Sequence, residues 1–145
     1  MKKPLIALPV VLVLVLVGLW VVLRADSDDE VATPVAPDTG GEMVAVSMPD
    51  LDGDALIGQR AFASTCASCH GPNAGGIDGA GPPLIHKIYE PGHHGDMAFY
   101  LAAARGVTAH HWTFGNMPPV EGITEAEVAA IVTFVRSVQR ANGIE

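Results

Sequence analysis

The sequence predicts an all-α fold, in which a small helical domain follows an N-terminal transmembrane helix. Residues 4–23 form an apolar run that contains no charged residue. Near the C-terminus, apolar residues recur at spacings of three and four, which is typical of an amphipathic helix. The segments between are rich in glycine and proline and lack the alternation of a strand. These features divide the chain into an anchor at 1–24, a linker at 25–54 and a domain at 55–145.

The uncharged run at residues 4–23 is long enough to cross a bilayer. A helix of about 20 residues is about 30 Å long, the thickness of the hydrocarbon core. Lys2 and Lys3 precede the run, so the positive-inside rule predicts a cytoplasmic N-terminus and an exported remainder. A cleaved signal peptide is the alternative, but residues 23–25 make a poor cleavage site. We expect a single-pass, uncleaved anchor in the lipid bilayer of a bacterial inner membrane, with the domain in the periplasm.

The net charge of −8 belongs mainly to the linker. Residues 26–54 contain nine acids and no base, whereas residues 55–145 contain seven acids and five bases. An acidic, proline-containing segment without apolar periodicity cannot bury a core, so residues 25–54 are predicted to be a flexible linker. The chain also lacks the basic patch that nucleic-acid binding requires.

Three helices are predicted within the domain. The first begins with Asp54 as its N-cap and continues into Cys66. The second covers residues 96–105 and stops at a glycine.

The last helix has the clearest start signal. Thr124 followed by Glu127 forms a capping box, and the helix is predicted to end near Gly143. Its apolar face consists of Val128, Ile131, Val132, Val135 and Val138.

Both cysteines of the chain stand in one motif, Cys66-Ala67-Ser68-Cys69-His70. A C-x-x-C-H sequence is the attachment motif of c-type haem. Two cysteines three residues apart lie on one face of a helical turn, so both thiols can bond one edge of the porphyrin while His70 ligates iron. A thioredoxin-like pair lacks its strand-rich context, and a zinc site lacks a second pair of ligands at suitable spacing. A disulfide is permitted in an exported compartment, but one that closes so short a loop would stabilise little. The motif predicts one haem c, covalently bound to Cys66 and Cys69, with His70 as an iron ligand.

Residues 55–145 resemble a class I c-type cytochrome with a single haem. Besides the attachment motif, the resemblance is carried by Gly58, Phe62, Gly81-Pro82-Pro83-Leu84, Gly115-Asn116-Met117-Pro118-Pro119 and Phe134. It implies that the first and last helices cross, with Gly58 and Phe62 meeting Phe134. It also implies that the carbonyl of Pro82 or Pro83 accepts the Nδ1 proton of His70 and fixes its ring.

Met117 is the expected second axial ligand of the iron. The resemblance places the methionine ligand in this loop, and the two prolines that follow prevent a helix and favour an extended loop. Met97 falls within a predicted helix, where methionine more often fills a gap in the core. A histidine in place of Met117, or a copper or zinc site built from clustered imidazoles, remains open. The histidines available for either role are His86, His93, His94, His110 and His111.

The resemblance implies an electron carrier and not an enzyme. A histidine and a methionine on the iron favour a raised potential and electron transfer. We expect a membrane-tethered carrier with a quinol-oxidising complex as donor and a terminal oxidase as acceptor. Two alternatives stay open, a permanent haem-c subunit of an oxidase or dehydrogenase complex, and a ligand-binding haem enzyme or sensor.

Overall fold

The computed structural model describes residues 41–145. The predicted anchor at 1–24 and the linker as far as residue 40 lie outside the described residues. Within residues 41–145, none of the helices has the length and apolarity needed to cross a membrane. The described part contains no strand, only two isolated bridges, so the helical domain is confirmed. Its elements are α1 (Gly53–Thr65), α2 (Ala67–His70), a 3₁₀ turn (Lys87–Tyr89), α3 (Asp96–Arg105) and α4 (Glu125–Ala141).

Helices α1 and α4 cross in close contact at the centre of the domain. A Cβ atom on Gly58 would overlap the carbonyl oxygen of Ala130, so only glycine permits this approach. One turn further along α1, the rings of Phe62 and Phe134 meet with centroids 5.3 Å apart and planes inclined at 52°. Both phenylalanines are fully buried, and each contributes about 1.5–3 kcal/mol of burial free energy. The helix crossing implied by the resemblance is confirmed.

The capping box of α4 is formed as the sequence predicts. The Glu127 N–H donates to Thr124 Oγ1 at 3.2 Å, and the Thr124 N–H donates to the Glu127 carboxylate at 2.8 Å. The N-cap of α1, in contrast, is Asp52 and not Asp54. Asp54 lies in the first turn, where its negative charge interacts favourably with the positive end of the helix dipole.

The predicted linker ends earlier than residue 54, because the segment from residue 42 onward is part of the folded domain. The buried Glu42 carboxylate accepts hydrogen bonds from the Asn73 N–H at 2.8 Å, the Asn73 Nδ2 at 3.0 Å and the Gly75 N–H at 3.0 Å. The backbone N–H groups of Met43 and Val44 donate to the carbonyl oxygens of Gly76 and Gly75. An acid that composition alone assigns to a solvated segment is here held by donors from the loop after α2.

The rest of this N-terminal segment packs against the core. Ser47 and Asn142 form two hydrogen bonds of 2.9 Å each. The Ser47 backbone N–H donates to Asn142 Oδ1, and Asn142 Nδ2 donates to the Ser47 carbonyl oxygen. The apolar side chains in contact with the core are Val46, Met48 and Leu51. These contacts tie the segment to the end of α4.

One buried arginine fastens the loop before α3 to α4. Arg136 is 7% exposed. Its Nε donates to the Asp96 carboxylate at 2.8 Å, while its terminal nitrogens donate to the carbonyl oxygens of Tyr89 and His94. Gln139 adds a bond from its Nε2 to the Tyr89 carbonyl oxygen at 3.0 Å. This loop forms one side of the site described next.

Candidate cofactor site

A cavity of about 480 Å³ lies among α1, α3, α4 and the loops on either side of α3. This volume falls within the ~300–1,000 Å³ range of small-molecule and cofactor sites. Most of its walls are apolar. Cys66, His70 and Met117 all line it, although Met117 stands nearly fifty residues beyond the cysteine motif in the sequence. The fold therefore gathers the predicted ligands around one space.

The cysteine motif forms a helical turn that continues from α1. The N–H groups of Cys69 and His70 donate to the Cys66 carbonyl oxygen at 3.1 and 3.0 Å. Cys66 is half-buried and Cys69 is exposed, and their sulfur atoms are not joined in a disulfide. Burial, with a smaller contribution from the Cys69 thiol, raises the pKa of the Cys66 thiol to about 11. Before haem is attached, Cys66 is therefore a neutral thiol at ordinary pH.

The His70 ring is held in one tautomer by the loop after α2. Its Nδ1 donates to the carbonyl oxygen of Pro82 at 2.9 Å, which leaves the lone pair of Nε2 available for a metal. Of the two prolines considered, Pro82 therefore provides the acceptor, while Pro83 is fully buried and packs against Gly76. Burial lowers the pKa of His70 despite this hydrogen bond, so the imidazole is neutral, as a metal ligand must be.

Met117 is fixed by its backbone to the loop that follows α3. Val107 and Met117 form an isolated bridge, with N–H to carbonyl distances of 2.9 and 3.0 Å. The loop is closed further by the Asn116 side-chain oxygen, which accepts the Ala109 N–H at 2.9 Å. Gly106 makes the close approach possible, because a Cβ atom there would overlap the Met117 carbonyl oxygen. Met97, in contrast, is 65% exposed on α3.

The residues present fit a haem. Its apolar macrocycle suits the apolar walls, and its iron suits a neutral imidazole and a thioether. Its carboxylates need donors, and the buried indole Nε1 of Trp112 makes no hydrogen bond of good geometry among residues 41–145, although it lies near the Tyr89 side chain. An unpaired buried donor costs about 1–3 kcal/mol, so a group that brings acceptors to this wall would be stabilised.

Several wall residues were not singled out from the sequence. The aromatic ones are Tyr89, Phe99 and Phe114. The only sequence signal among them is that Phe114 directly precedes the Met117 loop. Trp112 also lines the cavity, as do His94, His110 and His111, for which the sequence left an axial-ligand role and a metal-site role open.

Comparisons with known proteins agree with this geometry. The Cytochrome c family model matches residues 55–139. Among curated proteins, the Cbb3-type cytochrome c oxidase subunit CcoP of Rhodobacter capsulatus is 33% identical over 87 residues. The match covers 57% of this chain but only 29% of that relative. No solved structure matches the chain.

Proposed function

The chain belongs to the cytochrome c family, and we propose that it is a membrane-tethered electron carrier of a respiratory chain. Family membership brings with it one covalently bound haem c, and the Cys66 and Cys69 pair fits its attachment. Haem-based electron transfer is the function that both the family and the CcoP relative support. The observation that carries the proposal is the convergence of Cys66, His70 and Met117 on one apolar cavity.

Each residue at the cavity has a distinct task in this proposal. Haem c supplies a one-electron couple between ferrous and ferric iron when it is bound. Cys66 and Cys69 hold it covalently, and His70 presents Nε2 to the iron because Pro82 occupies Nδ1. Met117 would supply a thioether ligand to the iron from a loop that its bridge to Val107 keeps in place. With His70 and Met117 both bound, the iron would offer no site for a substrate, so the proposed protein would carry electrons and would not be an enzyme.

Membrane attachment completes the proposed carrier. Residues 1–24 would anchor the chain in the bacterial inner membrane, and the linker would begin at residue 25 and end before Glu42. The domain would then work in the periplasm at a raised local concentration near its partners. We assign a quinol-oxidising complex as the donor and a terminal oxidase as the acceptor. The support for an oxidase is that the CcoP relative is named as a subunit of one.

The same relative favours a second candidate, a permanent subunit of an oxidase complex. The two functions differ in the fraction of the protein that stays bound to the oxidase after gentle extraction. Membranes solubilised in a mild detergent would release a carrier largely free of the oxidase, as judged by native gels stained for haem. Co-migration of nearly all the protein with the oxidase would instead support the subunit.

An optical titration with carbon monoxide tests the carrier directly. The dithionite-reduced, matured protein should give a low-spin haem c spectrum that the gas leaves unchanged. The spectrum of the Met117→Ala variant should shift when carbon monoxide is added, because this variant leaves one axial position of the iron open. Met97→Ala is the matched control and should behave like the parent, since Met97 is largely exposed. A shift in the parent protein would contradict the carrier and support a sensor or an enzyme.

A further inference from the structure

Two pairs of adjacent histidines, far apart in the sequence, meet beside the cavity. His93 and His94 belong to the loop before α3, and His110 and His111 to the loop after it. The ring centroids of His93 and His94 lie 4.6 Å apart, and each lies within 5.3 Å of the His111 centroid. One ligand nitrogen from each of His93, His94 and His111 falls within 4.8 Å of the others. We call these three residues the histidine triad.

The spacing within the triad is that of ligands on one metal ion. His93 Nε2 and His111 Nε2 lie 3.4 Å apart. A tetrahedral Zn²⁺ with Zn–N distances of about 2.0–2.1 Å separates its ligand nitrogens by about 3.3–3.4 Å. The third nitrogen, from His94, lies within 4.8 Å of these two and would have to move closer to reach the same separation. Two of the three rings are exposed on the surface, so an ion can enter from solvent.

His94 is already oriented for this task. Its Nδ1 donates to the Ile88 carbonyl oxygen at 2.6 Å, which leaves the Nε2 lone pair free. Metal-ligating histidines typically donate their other ring N–H to such an acceptor. The loop is rigid at this point, because the N–H groups of His93 and His94 both donate to the Glu90 carbonyl oxygen and Arg136 donates to that of His94. The backbone that carries His94 is therefore held in place before any ion binds.

We propose that His93, His94 and His111 form a binding site for one divalent transition-metal ion, of which Zn²⁺ is the best match. Imidazole nitrogens select zinc or copper over magnesium and calcium, which prefer oxygen ligands. Three protein ligands leave the fourth tetrahedral position to water. The ion would link the loops on either side of α3 at the edge of the cavity.

His110 stays outside the proposed site although it is the next neighbour. Its ring packs on His111 with centroids 4.3 Å apart, and its Nδ1 donates to the Thr108 carbonyl oxygen at 2.9 Å. It is excluded because its nitrogens are not among those that lie within 4.8 Å of one another. None of the triad residues is assigned as a haem ligand, although His94 and His111 also line the cavity. Zinc binding can therefore be tested whether or not the protein is an electron carrier.

Calorimetric titration of the matured, haem-containing full chain with Zn²⁺ tests the site. We expect one ion per chain, with at least tenfold weaker binding in His93→Ala, His94→Ala and His111→Ala, because even outer-shell partners of a metal site contribute 10–100-fold. His86→Ala is the matched control, since His86 contacts Trp112 and is not part of the triad. Absence of a stoichiometric ion, or equal weakening in the control, would overturn the proposal.

A spectroscopic measurement identifies the ligands without relying on affinity. The zinc X-ray absorption edge is separate from that of iron, so haem does not interfere. The zinc-loaded protein should show three imidazole nitrogens at about 2.0–2.1 Å, and His93→Ala should show fewer. A zinc environment of oxygen ligands alone would mean surface binding elsewhere and would refute the triad.

Discussion

Replacement of Glu42 by alanine tests whether the folded domain begins well before the first helix. Three donors converge on this 6%-exposed side chain, two of them backbone N–H groups of Asn73 and Gly75. A buried donor that loses its acceptor costs about 1–3 kcal/mol, while the Asn73 side chain can turn towards water. We therefore expect Glu42→Ala to lower the free energy of unfolding by about 3 kcal/mol.

Thermal unfolding of the matured protein, followed by far-ultraviolet circular dichroism, measures this loss. At about 4–8 °C per kcal/mol for a domain of this size, Tm should fall by roughly 12–24 °C. Glu42→Gln keeps one acceptor oxygen and should fall between the parent and Glu42→Ala. Asp50→Ala is the matched control, because Asp50 is an exposed acid of the same segment and should stay within about 0.5 kcal/mol of the parent. If Glu42→Ala unfolded like Asp50→Ala, residues 42–51 would not belong to the fold.

Two further predictions concern helix packing and pH. Gly58→Ala places a methyl group against the backbone of α4 and should cost about 1–3 kcal/mol in urea unfolding, the usual range for overpacking. Gly92→Ala, which meets no atom within 4 Å, should stay near the parent, and an equally stable Gly58→Ala would argue against the close crossing. Hydrogen bonds from the capping Thr124 lower the pKa of Glu127 below its usual 4.5. The contribution of Glu127 to stability is therefore complete above pH 4.5, and it is lost as the pH falls through the lower pKa of the folded state. The stability gap between the parent and Glu127→Ala should therefore narrow in acid, and a gap that widened, or matched that of Glu125→Ala at every pH, would contradict the capping role.

Features that depend on neighbouring residues could be predicted from the sequence. The haem-attachment turn is specified by Cys66, Cys69 and His70 within five residues, because the helical turn itself sets the distance between the thiols. The α4 capping box is likewise local, since Thr124 and Glu127 satisfy each other's backbone. The crossing of α1 and α4 joins residues from opposite ends of the domain. It could still be predicted, because the resemblance to c-type cytochromes implies that the first and last helices cross at Gly58.

The N-cap of α1 shows the limit of local reasoning. Asp52 and Asp54 are the same residue type two positions apart, and either is a good cap by propensity. In the structure Asp52 is the N-cap, and the preceding residue, Leu51, packs against the core. Element boundaries are set by such tertiary contacts as much as by the residue at the boundary.

The sequence by itself determined the cofactor, its covalent attachment and the helical class of the domain. Only the tertiary structure decided that Glu42 is a buried acceptor, that Arg136 fastens the loop around Tyr89 and that His93 and His111 meet. These contacts join residues that are far apart in the sequence, from 18 positions for His93 and His111 to 47 positions for Tyr89 and Arg136. Composition describes an average environment and therefore predicts that an acid or a histidine is exposed to solvent. In the folded chain, a specific donor or a second imidazole can lie beside that residue. That encounter depends on how the loops pack around the cavity, and no local pattern contains that information.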